Sequence, residues 1–138
     1  KGDHLFKNFS KQTLLKKPIF KIYGSNYKTK DGSCVRDFIH VSDIAEIHIK
    51  VLNKIDMLNK SKILNCGYGR GISVKQVANE FARYANKNLR IVNSSKRKGD
   101  LVKIIALTNS LNKFIKWKPK YNSLKFMVKS SLKWEKSL

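Results

Sequence analysis

The hydrophobic residues of this chain change period at Pro18, and that change is repeated to the end of the sequence. Before Pro18, Leu5, Phe6, Phe9 and Leu14 recur at helical spacing between His4 and Lys17. The residue preceding a proline is pushed out of the helical region, so the helix stops there. After it, Ile19-Phe-Lys-Ile-Tyr23 is β-branched and aromatic and ends at Gly24, which predicts a strand. A polar loop from Gly24 to Ser33 leads into a second strand, Cys34 to Val41. Ser42 then suits an N-cap for a helix with Ile44, Ile47, Val51, Leu52 and Ile55 on one stripe. The second half repeats the alternation. A strand from Lys62 to Cys66 runs into a glycine turn, Gly67 to Gly71, and a helix opens at Ser73 with Val74, Val77, Phe81 and Tyr84 inward. Then come a strand from Leu89 to Val92, a basic loop from Ser94 to Asp100 and a strand from Lys103 to Leu107. A short helix capped by Thr108 or Asn109 follows. A last helix from near Ser123 carries Leu124, Met127, Val128, Leu132 and Trp134 on one face. Segments that alternate in this way predict an α/β fold.

At 138 residues the chain fits one domain, large enough to bury roughly two-thirds of the surface its unfolded form exposes. Its 30 Lys+Arg against 9 Asp+Glu give a formal charge of +21, which invites a nucleic-acid reading. The distribution argues against that reading. Only five of the basic residues are Arg, and the Lys divide evenly, 12 in residues 1–69 and 13 in 70–138. A specific nucleic-acid reader concentrates charge on one face and leans on Arg for bidentate contacts. Lys, Asn and Ile together make up 50 of the 138 residues, a bias that reads as compositional habit on a solvated surface. The expectation is therefore no nucleic-acid partner. No apolar run approaches the ~20 residues of a membrane span, so no membrane partner is expected either. Cys34 and Cys66 lie far apart with no Cys-x-x-Cys, which suggests neither a disulfide framework nor a zinc site and fits a cytoplasmic setting. The sequence begins with Lys1, and the expectation is that it is the tail of a longer polypeptide.

Several motifs have plain readings. Gly67-x-Gly69 opens like a dinucleotide fingerprint, but the third glycine falls at Gly71, one position early, and Asn93 stands where an acid would hold a ribose. The expectation is a tight strand-to-helix turn. Tyr121-x-x-x-Lys125 has the spacing of a proton-transfer pair, yet Tyr121 precedes the helix cap, so the match is a coincidence and no catalytic residue is assigned. His4, His40 and His48 lack the spacing of a helical metal pair, and no metal site is expected. Arg36 and Asp37 are different, because two charges in an apolar strand are costly unless each has a partner. Lys96-Arg97-Lys98-Gly99-Asp100 is a second cluster. Arg guanidinium groups fork onto phosphate oxygens and Asp accepts from sugar hydroxyls, so two such Arg could hold a diphosphate. The plain alternative is a local Arg36–Asp37 ion pair and a merely solvated loop.

At these residues the chain resembles UDP-glucose 4-epimerases, extended members of the short-chain dehydrogenase/reductase superfamily. The resemblance is to their C-terminal part. It runs without a gap from Ile22 to Ala45, including Asp31-Gly-Ser-Cys-Val-Arg36-Asp37-Phe38-Ile-His40-Val-Ser-Asp43. It continues through Asn65-Cys-Gly67-Tyr-Gly69-Arg-Gly71, Arg97-Lys-Gly99-Asp100, and Trp117-x-Pro119 with Trp134. Phe38 stands where Tyr is common, and Ile104 where some members place a Tyr. The resemblance implies an enzyme that uses NAD, held in an N-terminal Rossmann domain, to invert carbon 4 of a UDP-hexose and interconvert UDP-glucose and UDP-galactose through a keto-sugar. It assigns residues 1–138 to the UDP-sugar-binding portion, with segments around 35–75 completing the Rossmann domain, and it implies a homodimer. By position, Arg36 and Arg97 would grip the diphosphate and Asp100 would bind ribose hydroxyls. Tyr23 would lie against the uracil, Lys21 would add backbone contacts, and Leu5 with His4 would line the nucleotide site. The alternatives are another nucleotide-sugar epimerase or, in a different class, a small basic nucleic-acid-binding domain. The cofactor fingerprint and the catalytic Tyr-x-x-x-Lys helix are not in this sequence, so the chain alone is expected to be inactive.

Overall fold

The computed structural model describes residues 4–85 and 88–138. Helix α1 (Leu5–Thr13) leads through Pro18 into β1 (Ile19–Tyr23). After the polar loop come β2 (Val35–Arg36), α2 (Val41–Leu52) and a single 3-10 turn at Ile55–Met57. The glycine turn gives way to β3 (Ile72–Ser73) and α3 (Val74–Ala82). The chain ends with β4 (Arg90–Ser94), β5 (Lys103–Ile104), α4 (Asn109–Ile115) and α5 (Leu124–Lys136). Two small sheets result. β1 pairs in parallel with β4, from Ile19 opposite Arg90 to Tyr23 opposite Ser94. β2 lies between antiparallel β3 and parallel β5. The α/β class expected from the sequence is the one observed.

Successive side chains of a strand point to opposite faces, and β1 uses both. Phe20 and Ile22 are buried in the main core, while Ile19, Lys21 and Tyr23 face the other way. Helices α1, α3 and α5 close over the buried face. Phe9 stacks on Phe20 with ring centres 4.4 Å apart, and Phe81 meets Phe9 edge-on at 5.7 Å. Val77, Ala78, Met127, Val128 and Leu132 fill the space around them. The start of α3 is fixed by its sequence. Ser73 accepts from the N–H of Gln76 and the Gln76 side chain accepts from the N–H of Ser73, a reciprocal capping box. A second, smaller core joins Ile47 of α2 to Leu111 and Ile115 of α4 and to Trp117.

Several expectations give way here. The strand foreseen from Cys34 to Val41 is only Val35–Arg36, because from Asp37 onward the side chains are taken up by the glycine turn and by the start of α2. The cap of α2 is His40, two residues before Ser42, with His40 Nδ1 accepting from the Ser42 N–H at 3.1 Å. Residues 62–66 belong to no ladder among the described residues. Leu64 and Cys66 lean on the second core while Ile63 is 91% exposed, a strand-like alternation without a neighbouring strand to bond. β5 stops at Ile104 because its partner β2 is two residues long. Leu52 is exposed because five residues carry it about 140° round the helix from Ile47. Ile55 lies beyond the end of α2 and Tyr84 beyond the end of α3, and both are exposed. Trp134 stands about 200° from Leu132 on α5 and faces solvent.

His40 makes this cap sensitive to pH. With Nδ1 accepting from Ser42, the neutral ring carries its proton on Nε2, which lies 3.0 Å from Ser130 Oγ. Burial holds the ring below its ordinary value of 6.5, opposed by the nearby Asp43 carboxylate. A depressed value in the folded state means that the stability is present above 6.5 and is lost as pH falls below it. Thermal melts between pH 7.5 and 5 should therefore show a falling midpoint, and His40→Asn, which caps without titrating, should flatten that fall. An Asn variant as steeply pH-dependent as the parent would rule His40 out as the cause.

Candidate functional site

The outward face of β1 forms the floor of a cavity of about 530 Å³. Ile19, Lys21 and Tyr23 come from β1, and Leu5, Asn8 and Gln12 from one face of α1 at the spacing of two helical turns. Arg36 enters from β2, and Arg97 and Asp100 enter from the loop after β4. Of the residues singled out by sequence, Leu5, Lys21, Tyr23, Arg36, Arg97 and Asp100 thus converge on one space. Three cations against one carboxylate leave two positive charges in a cavity that also presents the Tyr23 and Phe38 rings. That combination suits a ligand carrying a dianionic group beside a flat, aromatic one.

Arg36 does not pair with its neighbour Asp37. Its Nη2 donates to Asp100 Oδ1 at 2.8 Å, and its Nη1 donates to the carbonyls of Val35 and Leu101, each at 2.8 Å. Asp37 points the opposite way and serves the backbone. Its carboxylate accepts from the N–H groups of Tyr68 (3.0 Å), Gly69 (2.9 Å) and Ala106 (3.3 Å), binding the glycine turn to the residues after β5. The alternative of a local ion pair gives way because Arg36 is taken by Asp100 and Asp37 by the backbone of the glycine turn and of Ala106. The basic loop, expected to be solvated or phosphate-binding, lies against aromatic rings. Arg97 Cζ is 3.9 Å from the centre of the Tyr23 ring, and Lys96 Nζ is 4.5 Å from that of Tyr27. Such cation–π contacts contribute about 0.5–1 kcal/mol at exposed positions.

Two further carboxylates support the site from behind. Asp43, fully buried, accepts from the Tyr68 hydroxyl at 2.6 Å and from the N–H groups of Lys120 (3.1 Å) and Tyr121 (3.0 Å). Burial and this bond to Asp43 push the Tyr68 hydroxyl above its ordinary value of 10.0. Asp31 accepts from Ser33 N–H, Ser33 Oγ and Ser73 Oγ, fastening the polar loop to the start of α3. Burial raises its pKa, but these hydrogen bonds outweigh burial and hold the carboxyl below 3.8. Tyr121 sits outside α5, as its place before the cap required, and stacks on Phe126. Among the described residues, no group of three His, Cys, Asp or Glu side chains gathers closely enough to hold a metal.

Residues 1–67 match the NAD dependent epimerase/dehydratase family. Over 135 residues the chain is 36% identical to the UDP-glucose 4-epimerase of Azospirillum brasilense, covering 98% of this chain and 39% of that protein. The fold superposes on the UDP-Glc/GlcNAc 4-epimerase of Campylobacter jejuni with a TM-score of 0.86 and 34% identity, over 100% of this chain and 42% of the other. A UDP-glucose 4-epimerase of Bifidobacterium longum, solved in complex with NAD+ and UDP, gives a TM-score of 0.81 and 31% identity, over 97% of this chain and 39% of the other. This chain corresponds to the C-terminal part of the UDP-glucose 4-epimerases. It spans about two-fifths of the length of the relatives it matches.

Set against that epimerase likeness, one candidate fails to reach the cavity. His4 is exposed, caps α1 only through its backbone, and does not line the space; Leu5, the first residue of the helix, is the one that does. Ile104, where some epimerases place a Tyr, is also outside it, whereas Phe38 lines it. Asn8, Gln12 and Cys34 line the cavity and were not picked out from sequence. The spacing of Leu5, Asn8 and Gln12 was the signal that would have found two of them. Asp37→Ala should destabilise the chain by about 2 kcal/mol, since three N–H donors, two of them half-buried, lose one acceptor. Urea denaturation measures this, and a loss below about 0.5 kcal/mol would show that the carboxylate is not what holds the turn.

Proposed function

We propose that this chain is the UDP-sugar-binding part of a UDP-glucose 4-epimerase. Arg36 and Arg97 hold the diphosphate, Asp100 accepts from the ribose hydroxyls, and Tyr23 lies against the uracil. Lys21 contributes through its backbone, and Leu5 lines the site. The observation that carries this reading is the convergence of those six residues, from four separate stretches of sequence, on one cavity with two excess positive charges. Its volume of about 530 Å³ lies within the range of roughly 300–1,000 Å³ usual for small-molecule sites. The Bifidobacterium longum relative, solved with UDP, supports the choice of nucleotide.

The family's other ligand, NAD, finds no seat on the glycine turn. A side chain at Gly67 would meet Asp37 Oδ2 and Ala106 Cβ at 2.5 Å, and one at Gly71 would meet Val35 Cγ1 at 2.3 Å, so the space beside these glycines is filled by the protein itself. The first N–H groups of α3 are likewise taken: Val74 donates to the Cys34 carbonyl, Lys75 to Ser33 Oγ and Gln76 to Ser73 Oγ. No amide remains there for a pyrophosphate. The glycine turn and the start of α3 do not fit the cofactor, and no chemical step is assigned to them.

The reading also gives α2 and the segment after it a role in completing the Rossmann domain, over residues 35–75. Two features support this. Residues 62–66 show strand alternation without a partner strand, and Val41, Ile49, Leu52, Met57 and Ile63 are large apolar side chains left exposed in one stretch of sequence. A sheet and helices supplied by further polypeptide would cover them. With the family reading come a homodimer and a cytoplasmic location.

Calorimetric titration of the chain with UDP tests the proposal. Arg36→Ala should weaken UDP binding by about 2 kcal/mol or more, because a phosphate loses a charge-assisted partner and Asp100 loses its cation; an unchanged dissociation constant would overturn the assignment. Incubation of the chain with UDP-glucose and NAD should yield no UDP-galactose, and measurable conversion would show that these residues suffice for catalysis.

A further inference from the structure

The loop between β4 and β5 is tied along its length to the segment it crosses. At its root the Gly24 N–H donates to the Ser94 carbonyl at 2.9 Å. Lys96 then lies on the Tyr27 ring and Arg97 on the Tyr23 ring, and at the far end Asp100 closes on Arg36. Between these ends residues 95–99 are exposed, so the loop runs as a strap along the rim of the cavity. Gly99 has φ +81 and nothing within 4 Å of where a side chain would stand, which gives the strap one point that turns without steric cost.

If the cavity takes UDP, as proposed above, the uracil and Arg97 want the same surface. At 3.9 Å from the Tyr23 ring the guanidinium is in van der Waals contact, and no base fits between the two. We infer that Arg97 is a specificity-determining residue that makes stacking on Tyr23 conditional on a phosphate. A nucleoside diphosphate draws the guanidinium off the ring into a stronger, forked, charge-assisted contact and uncovers the ring for its own base. A nucleoside without phosphate must displace the same cation and offers it nothing in return. The residue thus rejects uridine while accepting UDP, by covering the surface that both would use.

The test compares uridine and UDP on the parent chain, Arg97→Ala and Arg97→Lys. Removing the guanidinium should tighten uridine about three-fold, the reverse of a lost exposed cation–π contact, while weakening UDP at least about ten-fold. Arg97→Lys, which keeps the charge without the planar stack, should hold UDP within a few-fold of the parent and also gain uridine affinity; it carries the test if the alanine variant does not fold. Uridine binding no tighter in either variant, with UDP still bound by the parent, would overturn the inference and leave the UDP reading intact, as it would if the base used the opposite face of Tyr23. Failure of the parent chain to bind UDP would instead remove the reading on which the inference rests.

Discussion

The carboxylate of Asp37 sets the geometry of everything around the cavity. It gathers the N–H groups of the glycine turn and of Ala106 onto one side of β2. Arg36, the last residue of β2, turns to the other side, where the cavity is. A half-buried charge would otherwise be a liability, since a carboxylate taken partly out of water needs partners. Here the same charge joins three pieces of chain that are remote in sequence: the end of β2, the turn before α3 and the segment after β5. Arg36 then completes the arrangement by holding Asp100 and the Leu101 carbonyl, which brings the basic loop to the rim.

What the sequence made legible was local or periodic. β1 runs over the residues its β-branched pattern marked, and α3 starts from Ser73, where the apolar stripe opened it. Six of the seven candidate ligand contacts meet in one cavity because a family likeness carries three-dimensional information that periodicity lacks. What stayed hidden depended on distant partners. Nothing near Asp43 announces that its acceptors will be filled by backbone groups of Lys120 and Tyr121, 77 and 78 residues away. Residues 62–66 have a strand's composition, yet strand formation is a property of a pair, and no described strand pairs with them. His40 displaced Ser42 as the cap because a ring nitrogen can accept the N–H two residues on, a role that residue statistics assign to hydroxyls and carboxylates.

The charge of the chain separates into two populations. Most of the 30 basic residues are Lys, and many stand at exposed positions where water screens them. Three cations, Lys21, Arg36 and Arg97, line the cavity with a single carboxylate, and there the apolar walls strengthen each interaction. A formal +21 is therefore a poor guide to the ligand, whereas the local excess of two is a close match to a diphosphate.

Tyr68 has a part in the way the molecule comes apart. Its ring packs against both hydrophobic clusters, lies parallel to Trp117 at 6.2 Å, and through its hydroxyl joins the backbone of His40 to the buried Asp43. The two sheets share no strand among the described residues, so the two cores are joined by side chains rather than by a ladder. A single phenol common to both makes the opening of one expose surface and unpair polar groups in the other, so their melting is coupled and the amides of α2 and α3 exchange in one cooperative unit.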